Sequence, residues 1–241
     1  MATLFISDLH LDPSRPAIID GFLDWLNRQA GSAEAVYILG DLFEAWIGDD
    51  DPEPLWQQVI RTISTCTWAG TPVRFMHGNR DFLIGEDFQR ESGCQLISDP
   101  TVIELYGRRT LLMHGDLLCS DDTEYQQLRT RVRSPDWQQT VLKRPVEERL
   151  ALACSAREQS KHSVLGKSFD ILDVNQETVS AYMERYQVDL LIHGHTHRPG
   201  VYPVELSEGS GTRIVLGDWY KQGSLLRADA DTLDLQTLES L

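Results

Sequence analysis

Five times along this chain a short apolar run stops and a knot of acids, amides, glycines and histidines begins. The knots are "SDLH" (7–10), "LGDLFE" (39–44), "HGNRD" (77–81), "MHGD" (113–116) and "HGHTH" (193–197). The runs "TLFIS" (3–7), "AVYIL" (35–39) and "VRFM" (73–76) have the length and residue types of buried strands. Between them lie the helical patterns "AIIDGFLDWLNRQA" (17–30) and "PLWQQVIRTISTCTWA" (54–69). This β-α-β-α-β alternation predicts parallel strands joined by crossover helices. Open α/β sheets carry their ligands beyond the strand ends, so the loops there can aim side chains at a common point. Six of the seven histidines lie in or beside these knots.

Further along, "VIELY" and "TLLMH", separated by Gly107-Arg108-Arg109, predict a hairpin. Residues 122–186 are mostly helical in period, with no convincing strand. Strands return with "VDLLIH" (188–193), "GVYPVEL" (200–206), "TRIVLG" (212–217) and "SLLRADA" (224–230). No internal repeat or interdomain linker is visible. The expectation is one α/β domain over 1–241, interrupted by a helical insertion at about 122–167. No apolar run approaches the roughly 20 residues needed to span a bilayer. The start "MATLFISDLH" shows no basic leader or cleavage site, so no signal peptide is expected. Cys66, Cys94, Cys119 and Cys154 form no CxxC pair, which fits reduced thiols in a cytosolic protein.

The net charge of −15 argues against a nucleic-acid partner. Its distribution is uneven. Residues 127–167 hold nine Lys/Arg and four acids, a local +5 on a remainder of −20. Such an island suits an anionic ligand or an anionic membrane surface, and equally a solvated helical face.

Within the knots, Asp8 and His10 are two residues apart, as are His195 and His197. In extended chain such pairs point the same way, so each pair could grip one cation from one side. Carboxylate and imidazole together suit Mn, Fe, Zn or similar divalent ions. Asp41, with two oxygens, could bridge two of them. Asn79 offers an amide oxygen without charge. Arg80 offers a planar cationic fork suited to phosphate.

The ordered blocks Asp8-Leu9-His10, Gly40-Asp41, Gly78-Asn79-Arg80-Asp81, His114-Gly115-Asp116 and Gly194-His195-Thr196-His197 resemble the calcineurin-like metallophosphoesterases, whose pattern is DxH…GD…GNH[DE]…H…GHxH. That resemblance implies a core of β-sheet layers flanked by helices, here with a helical cap insertion. It implies two divalent ions, manganese by preference. Asp8, His10, Asp41 and His197 would hold one, and Asp41 as bridge, Asn79, His114 and His195 the other. Arg80 replaces the histidine usual after the asparagine. With "VYILGDLFEAWIGDDD" (36–51), "HGNRDFL", "LYGRR", "DVNQ" and "LIHGHTHRP", this departure resembles a narrower group, the UDP-2,3-diacylglucosamine pyrophosphohydrolases of lipid A synthesis.

The group's chemistry implies attack of a metal-activated hydroxide on the α-phosphorus, giving UMP and 2,3-diacylglucosamine 1-phosphate. Asn79, Arg80 and His195 would take part in catalysis. Substrate contacts would come from Asn79, Arg80, Asp122, Ser160, Val164, Lys167 and His195; position 164 is usually polar in the group. The enzyme would be a monomer, cytoplasmic and peripheral on the inner face of the bacterial inner membrane. A general phosphodiesterase or phosphomonoesterase is the alternative, and a non-catalytic metal scaffold a remoter one.

Plainer roles are expected elsewhere. His77 and His193 read as core histidines and His162 as a surface residue. Asp49-Asp50-Asp51 reads as a solvated acidic loop, and Glu44 and Trp46 as loop supports. Asp116 is either an orienting acid or a turn residue. The leucines around 141–152 are either core or the lining of an acyl-chain groove.

Overall fold

Alternate residues of a strand face opposite sides of its sheet, and in this chain both sides are apolar. In β1 (Thr3–Ile6), Leu4 and Ile6 join one core while Phe5 joins another. In β2 (Ala35–Ile38), Val36 and Ile38 join the first core while Ala35 and Tyr37 join the second. A strand buried on both faces needs a layer on each side. The computed structural model, which describes residues 1–165, 171–220 and 223–238 without the side chains of 161–165, supplies them as helix, sheet, sheet and helix.

In the first sheet β1, β2, β3 (Val73–Met76) and β4 (Gln95–Ile97) run parallel. In the second, β5 (Thr101–Leu105) and β6 (Arg108–Met113) form the expected hairpin, and β6 runs parallel to β7 (Leu190–His193). β8 (Gly200–Glu205) pairs antiparallel with β9 (Ser210–Val215), which lies parallel to β7. The antiparallel pair β10 (Gly223–Ala228) and β11 (Leu233–Leu238) completes the first sheet beside β1.

On the outer face of the first sheet, α1 (Pro16–Gln29), α2 (Pro54–Trp68) and α3 (Glu86–Ser92) bury Phe22, Trp25, Trp56, Ile63 and Phe88. Between the sheets Phe5 and Tyr37 meet Leu112, Leu190, Ile192 and Ile214.

The stretch expected to be an insertion folds as α4 (Thr123–Val132), α5 (Pro135–Leu142) and α6 (Val146–Leu165), followed by α7 (Gln176–Tyr186). α7 covers the second sheet through Val179 and Met183. Of the apolar residues in α5 and α6, Val141 is buried, but Leu142, Leu150 and Leu152 are 41%, 53% and 40% exposed, so these leucines are not core. The basic island is less open than its charge suggests. Arg129, Arg133, Arg149 and Arg157 all turn inward onto carboxylates or carbonyls of the α/β layers.

Candidate metal centre

The knots meet at one end of the two sheets, but not by extended geometry. Asp8, His10, Asp41, His195 and His197 all have positive φ, at 56°, 49°, 53°, 68° and 54°. A side chain in the left-handed region costs of order 1–3 kcal/mol, and such strain concentrates at functional sites. The loops turn sharply straight after each strand. The His195–His197 pair therefore splits instead of gripping one point, each ring joining a different group of donors.

One group is Asp8, His10 and His197. His197 Nε2 lies 3.2 Å from Asp8 Oδ1 and 3.3 Å from His10 Nε2, and His10 Nε2 is 3.9 Å from the same Asp8 oxygen. Asp8, Asp41 and His114 form a second group that shares Asp8, with one ligand atom from each residue mutually within 4.8 Å. Beside it Asn79 Oδ1 stands 2.9 Å from both His114 Nε2 and His195 Nδ1. His10 Nε2 is also 3.8 Å from Asp41 Oδ2, which links the two groups.

The donor set demands positive charge. His114 Nδ1–H donates to the Leu39 carbonyl at 2.8 Å, which turns Nε2 towards the Asn79 oxygen. His10 Nδ1 lies 3.0 Å from Glu44 Oε2 and His197 Nδ1 3.4 Å from Asp218 Oδ2, so their Nε2 atoms face each other. Acceptors crowd like this only around a proton or a cation. Burial opposes charge on His114, but Asp41, Asp116 and Asp8 outweigh it and raise its pKa to about 9. Burial likewise opposes charge on His197, and Asp218 and Asp8 raise it to about 10. Burial and the neighbouring His114 push His195 down to about 4. Carboxylates, imidazoles and a neutral amide around such a pocket fit divalent ions of the Mn, Fe or Zn kind.

Close backbone approach packs the loops. A methyl on Gly78 would sit 2.1 Å from Asp41 Oδ1, and one on Gly194 would sit 2.2 Å from Asp8 Oδ2. Asp81 ties two of the loops together. Its carboxylate accepts from Gly78 N at 2.8 Å and from Leu42 N at 2.7 Å, so it orients the loops and touches no candidate ligand side chain through these bonds. Asp116 is fully buried and accepts from Tyr125 Oη at 2.6 Å and Arg129 Nε at 2.7 Å, an anchor rather than a turn residue.

Glu44 receives Tyr220 Oη and Arg157 Nη2, each at 2.8 Å, and orients His10. Burial opposes its ionisation, but bonds from His10 and Tyr220 hold the carboxyl below its usual range. His193 donates Nδ1–H to Gly194 O and faces Arg213, and His77 bonds the Ile84 carbonyl; both are structural.

Of the acidic triplet only Asp50 is exposed to solvent as expected, and all three carboxylates are engaged. Asp49 accepts from Trp46 Nε1 and from Gly85 N and Phe88 N at the start of α3, each at 3.0 Å. Asp50 pairs with buried Arg149, and Asp51 accepts from Trp56 Nε1.

Arg80 is half-buried beside these loops, and its buried Nε has no hydrogen-bond partner. Asp122 caps α4 by accepting from Tyr125 N at 3.1 Å. Ser160 is half-buried on α6. The side chains of Val164 and His162, and Lys167 as a whole, lie outside the described residues. A cavity of about 430 Å³ lies against the Phe82–Gly85 turn and α4–α5, walled by Leu83, Ile97, Leu142 and Arg133, and contains none of the candidate ligands.

Sequence reasoning missed the second ring of support: Asp99, Tyr125, Arg129, Asp218 and Tyr220. The spacing of Tyr125, Arg129 and Arg133, one helical turn apart each time, was a usable signal for three residues on one face.

The chain matches the family model described as calcineurin-like phosphoesterase over residues 1–199. It is 52% identical over 245 residues to a protein named UDP-2,3-diacylglucosamine hydrolase from Stenotrophomonas maltophilia, with 99% of each chain covered. A protein of the same name from Escherichia coli is 51% identical, with 98% of each covered. A solved archaeal phosphodiesterase superposes with a TM-score of 0.51 at 14% identity, covering 99% of this chain and 100% of that one, a likeness of fold. On the family match and on relatives this similar over nearly their whole length, the chain belongs to the calcineurin-like phosphoesterases.

Proposed function

We propose that this chain hydrolyses the pyrophosphate bond of UDP-2,3-diacylglucosamine by attack of water on the α-phosphorus. The products are UMP and 2,3-diacylglucosamine 1-phosphate, an intermediate of lipid A biosynthesis. The reading is carried by one observation: Asp41 stands between the two donor clusters, with Oδ2 3.8 Å from His10 Nε2 and Oδ1 3.9 Å from His114 Nε2, next to an arginine whose buried Nε lacks a partner. The names of the full-length relatives support the choice of substrate.

Asp8, His10, Asp41 and His197 would hold one divalent ion, and Asp41, Asn79, His114 and His195 a second. When bound, such a pair, manganese in this reading, acidifies a water and offsets charge on the phosphoryl oxygens. The residues do the rest. Glu44 and Leu39 O turn His10 and His114 so that their Nε2 atoms face inward. Arg80 presents its fork to the pyrophosphate, where it stabilises charge that grows on the equatorial oxygens. The departing phosphate monoester needs no strong acid, which suits an arginine in place of the usual histidine. Asn79, His195, Asp122, Ser160, Val164 and Lys167 complete the substrate contacts in this reading.

The chain is read as one domain over 1–241 whose insertion at about 122–167 covers the acyl chains. The exposed leucines of α5 and α6 support that role. We read it as a monomer that docks on the cytoplasmic face of the inner membrane. No helix among the described residues is long and apolar enough to cross a bilayer. Sedimentation with anionic vesicles at low and high salt tests the docking.

The decisive assay is chromatographic UMP release from the lipid nucleotide with Mn²⁺, comparing wild type with Asp41→Ala. UMP release that survives the substitution unchanged refutes the two-ion reading. Equal turnover of a small chromogenic diester would favour a general phosphodiesterase.

A further inference from the structure

The first helix of the insertion makes its contacts towards one part of the site. Tyr125, Gln126, Arg129 and Arg133 recur at helical spacing on α4 and at its C-terminal cap, and all four turn inward. The Tyr125 ring stacks against His195, with centroids 6.2 Å apart and planes 27° apart. Gln126 Nε2 donates to the carbonyls of Asp116 at 2.8 Å and Cys119 at 3.0 Å. Arg129 spans two loops, with Nε donating to Asp116 Oδ2 at 2.7 Å and Nη2 to Asp99 Oδ2 at 3.0 Å. The other Asp99 oxygen accepts the backbone N–H of His114 at 3.3 Å. Arg133 Nη2 donates at 2.8 Å to the carbonyl of Gly78, the residue before Asn79, while its guanidinium lies 5.4 Å from the Phe82 ring centre.

These contacts reach His195, His114 and Asn79, the three side chains gathered around the Asn79 oxygen. His10 and His197 are oriented by different residues, Glu44 and Asp218. We propose that α4 is a template for one of the two metal positions, the one framed by Asn79, His114 and His195, with Arg129 and Arg133 as its positioning residues. This rests on the reading of those three side chains as ligands.

The physical need is plain. The three come from three loops on two sheets, and one is a neutral amide that binds a cation weakly. Their geometry must be imposed from outside. Arg129 does so with a rigid fork across two nearly buried carboxylates, a task that the single ammonium of lysine performs poorly. On this account α4 belongs to the metal scaffold, and any part of the insertion that moves over substrate lies beyond it.

The test titrates chelator-stripped, full-length protein with Mn²⁺ alone, following stoichiometry by calorimetry and the spin-coupled manganese pair by EPR. Circular dichroism and thermal melts verify folding. Wild type is expected to bind two equivalents. Arg133→Met is expected to lower one affinity by roughly 10–100-fold, the usual effect of losing a group that orients a ligand. The other affinity should stay within about twofold, so the coupled signal fades while a mononuclear one remains. Arg133→Lys should recover part of the loss, Arg129→Lys should repeat the selective effect, and exposed Arg131→Met should change neither site. If Arg129→Lys does not fold, the Arg133 pair decides. Equal weakening of both affinities, or of neither, overturns the proposal and leaves the site reading standing. Fewer than two equivalents in wild type overturns both.

Discussion

Gly78→Ala tests how closely the loops must approach. The added methyl would lie 2.1 Å from Asp41 Oδ1, 2.3 Å from Asp41 N and 2.8 Å from Asp41 Cγ. Ordinary carbon contacts need about 3.5 Å, so the overlap exceeds about 1 Å. Rotating the Asp41 side chain relieves only part of it, because the backbone nitrogen is also in the way. The loop must retreat, stretching the 2.8 Å bonds from Arg80 N to Asp41 and from Gly78 N to Asp81.

Overpacking of this kind costs about 1–3 kcal/mol. At 2–4 °C per kcal/mol for a chain of this size, the melt should fall by roughly 2–12 °C. Displacing Asp41 and Asn79 by about 1 Å should cost about 100-fold in rate, or about 2.7 kcal/mol of barrier. UMP release is measured at saturating Mn²⁺ beside a thermal melt. Gly107→Ala is the control: its added methyl meets nothing within 4 Å, so its left-handed strain should lower the melt without lowering the rate. A Gly78→Ala enzyme within threefold of wild-type rate would refute the close-packing account.

Chelation should abolish activity and lower the melt, and Mn²⁺ at about 100 times its Kd should restore roughly 2.7 kcal/mol, read by thermal melts. Asp49→Ala orphans Trp46 Nε1, Gly85 N and Phe88 N and should cost about 2–4 kcal/mol in a urea titration. Burial pushes Cys66 and Cys94 up to about 11 and Cys119 to about 12. At pH 8 iodoacetamide should therefore label exposed Cys154 well before these three. The unfolded chain loses those thiol protons from about pH 9, while the native state keeps them to about 11. Stability should thus fall as pH climbs through that window, as denaturant midpoints would show.

The strands and helices that carry apolar periodicity were legible within a residue or two, α1, α2 and β1 to β3 among them. β4, with three residues, and α3, with seven, are too short to show a period. β11, "LDLQTL", alternates apolar and polar as an edge strand should, yet its weak hydrophobicity hid it. Sheet layers were implied only by the family resemblance and not by the strands themselves, because a run buried on both faces reads the same in one sheet or two. At the site, the residue types and their order were legible, while the left-handed φ values that aim them were not. Asp and His enter the left-handed region more often than most residues, yet still too rarely for their type alone to announce it. The acidic triplet misled in part, at Asp49 and Asp51, because charge in sequence says nothing of Trp46, Trp56 and Arg149 waiting to receive it.

Asp8, His10, Asp41 and Asn79 leave the first sheet, whereas His114, His195 and His197 leave the second. A cation gripped by both groups would act as a rivet through the seam between the layers. Losing it would free the slabs to shear along the Phe5–Leu112–Ile192 interface. Amide exchange in the middle of β1 and β7 should then report whether the rivet is in place.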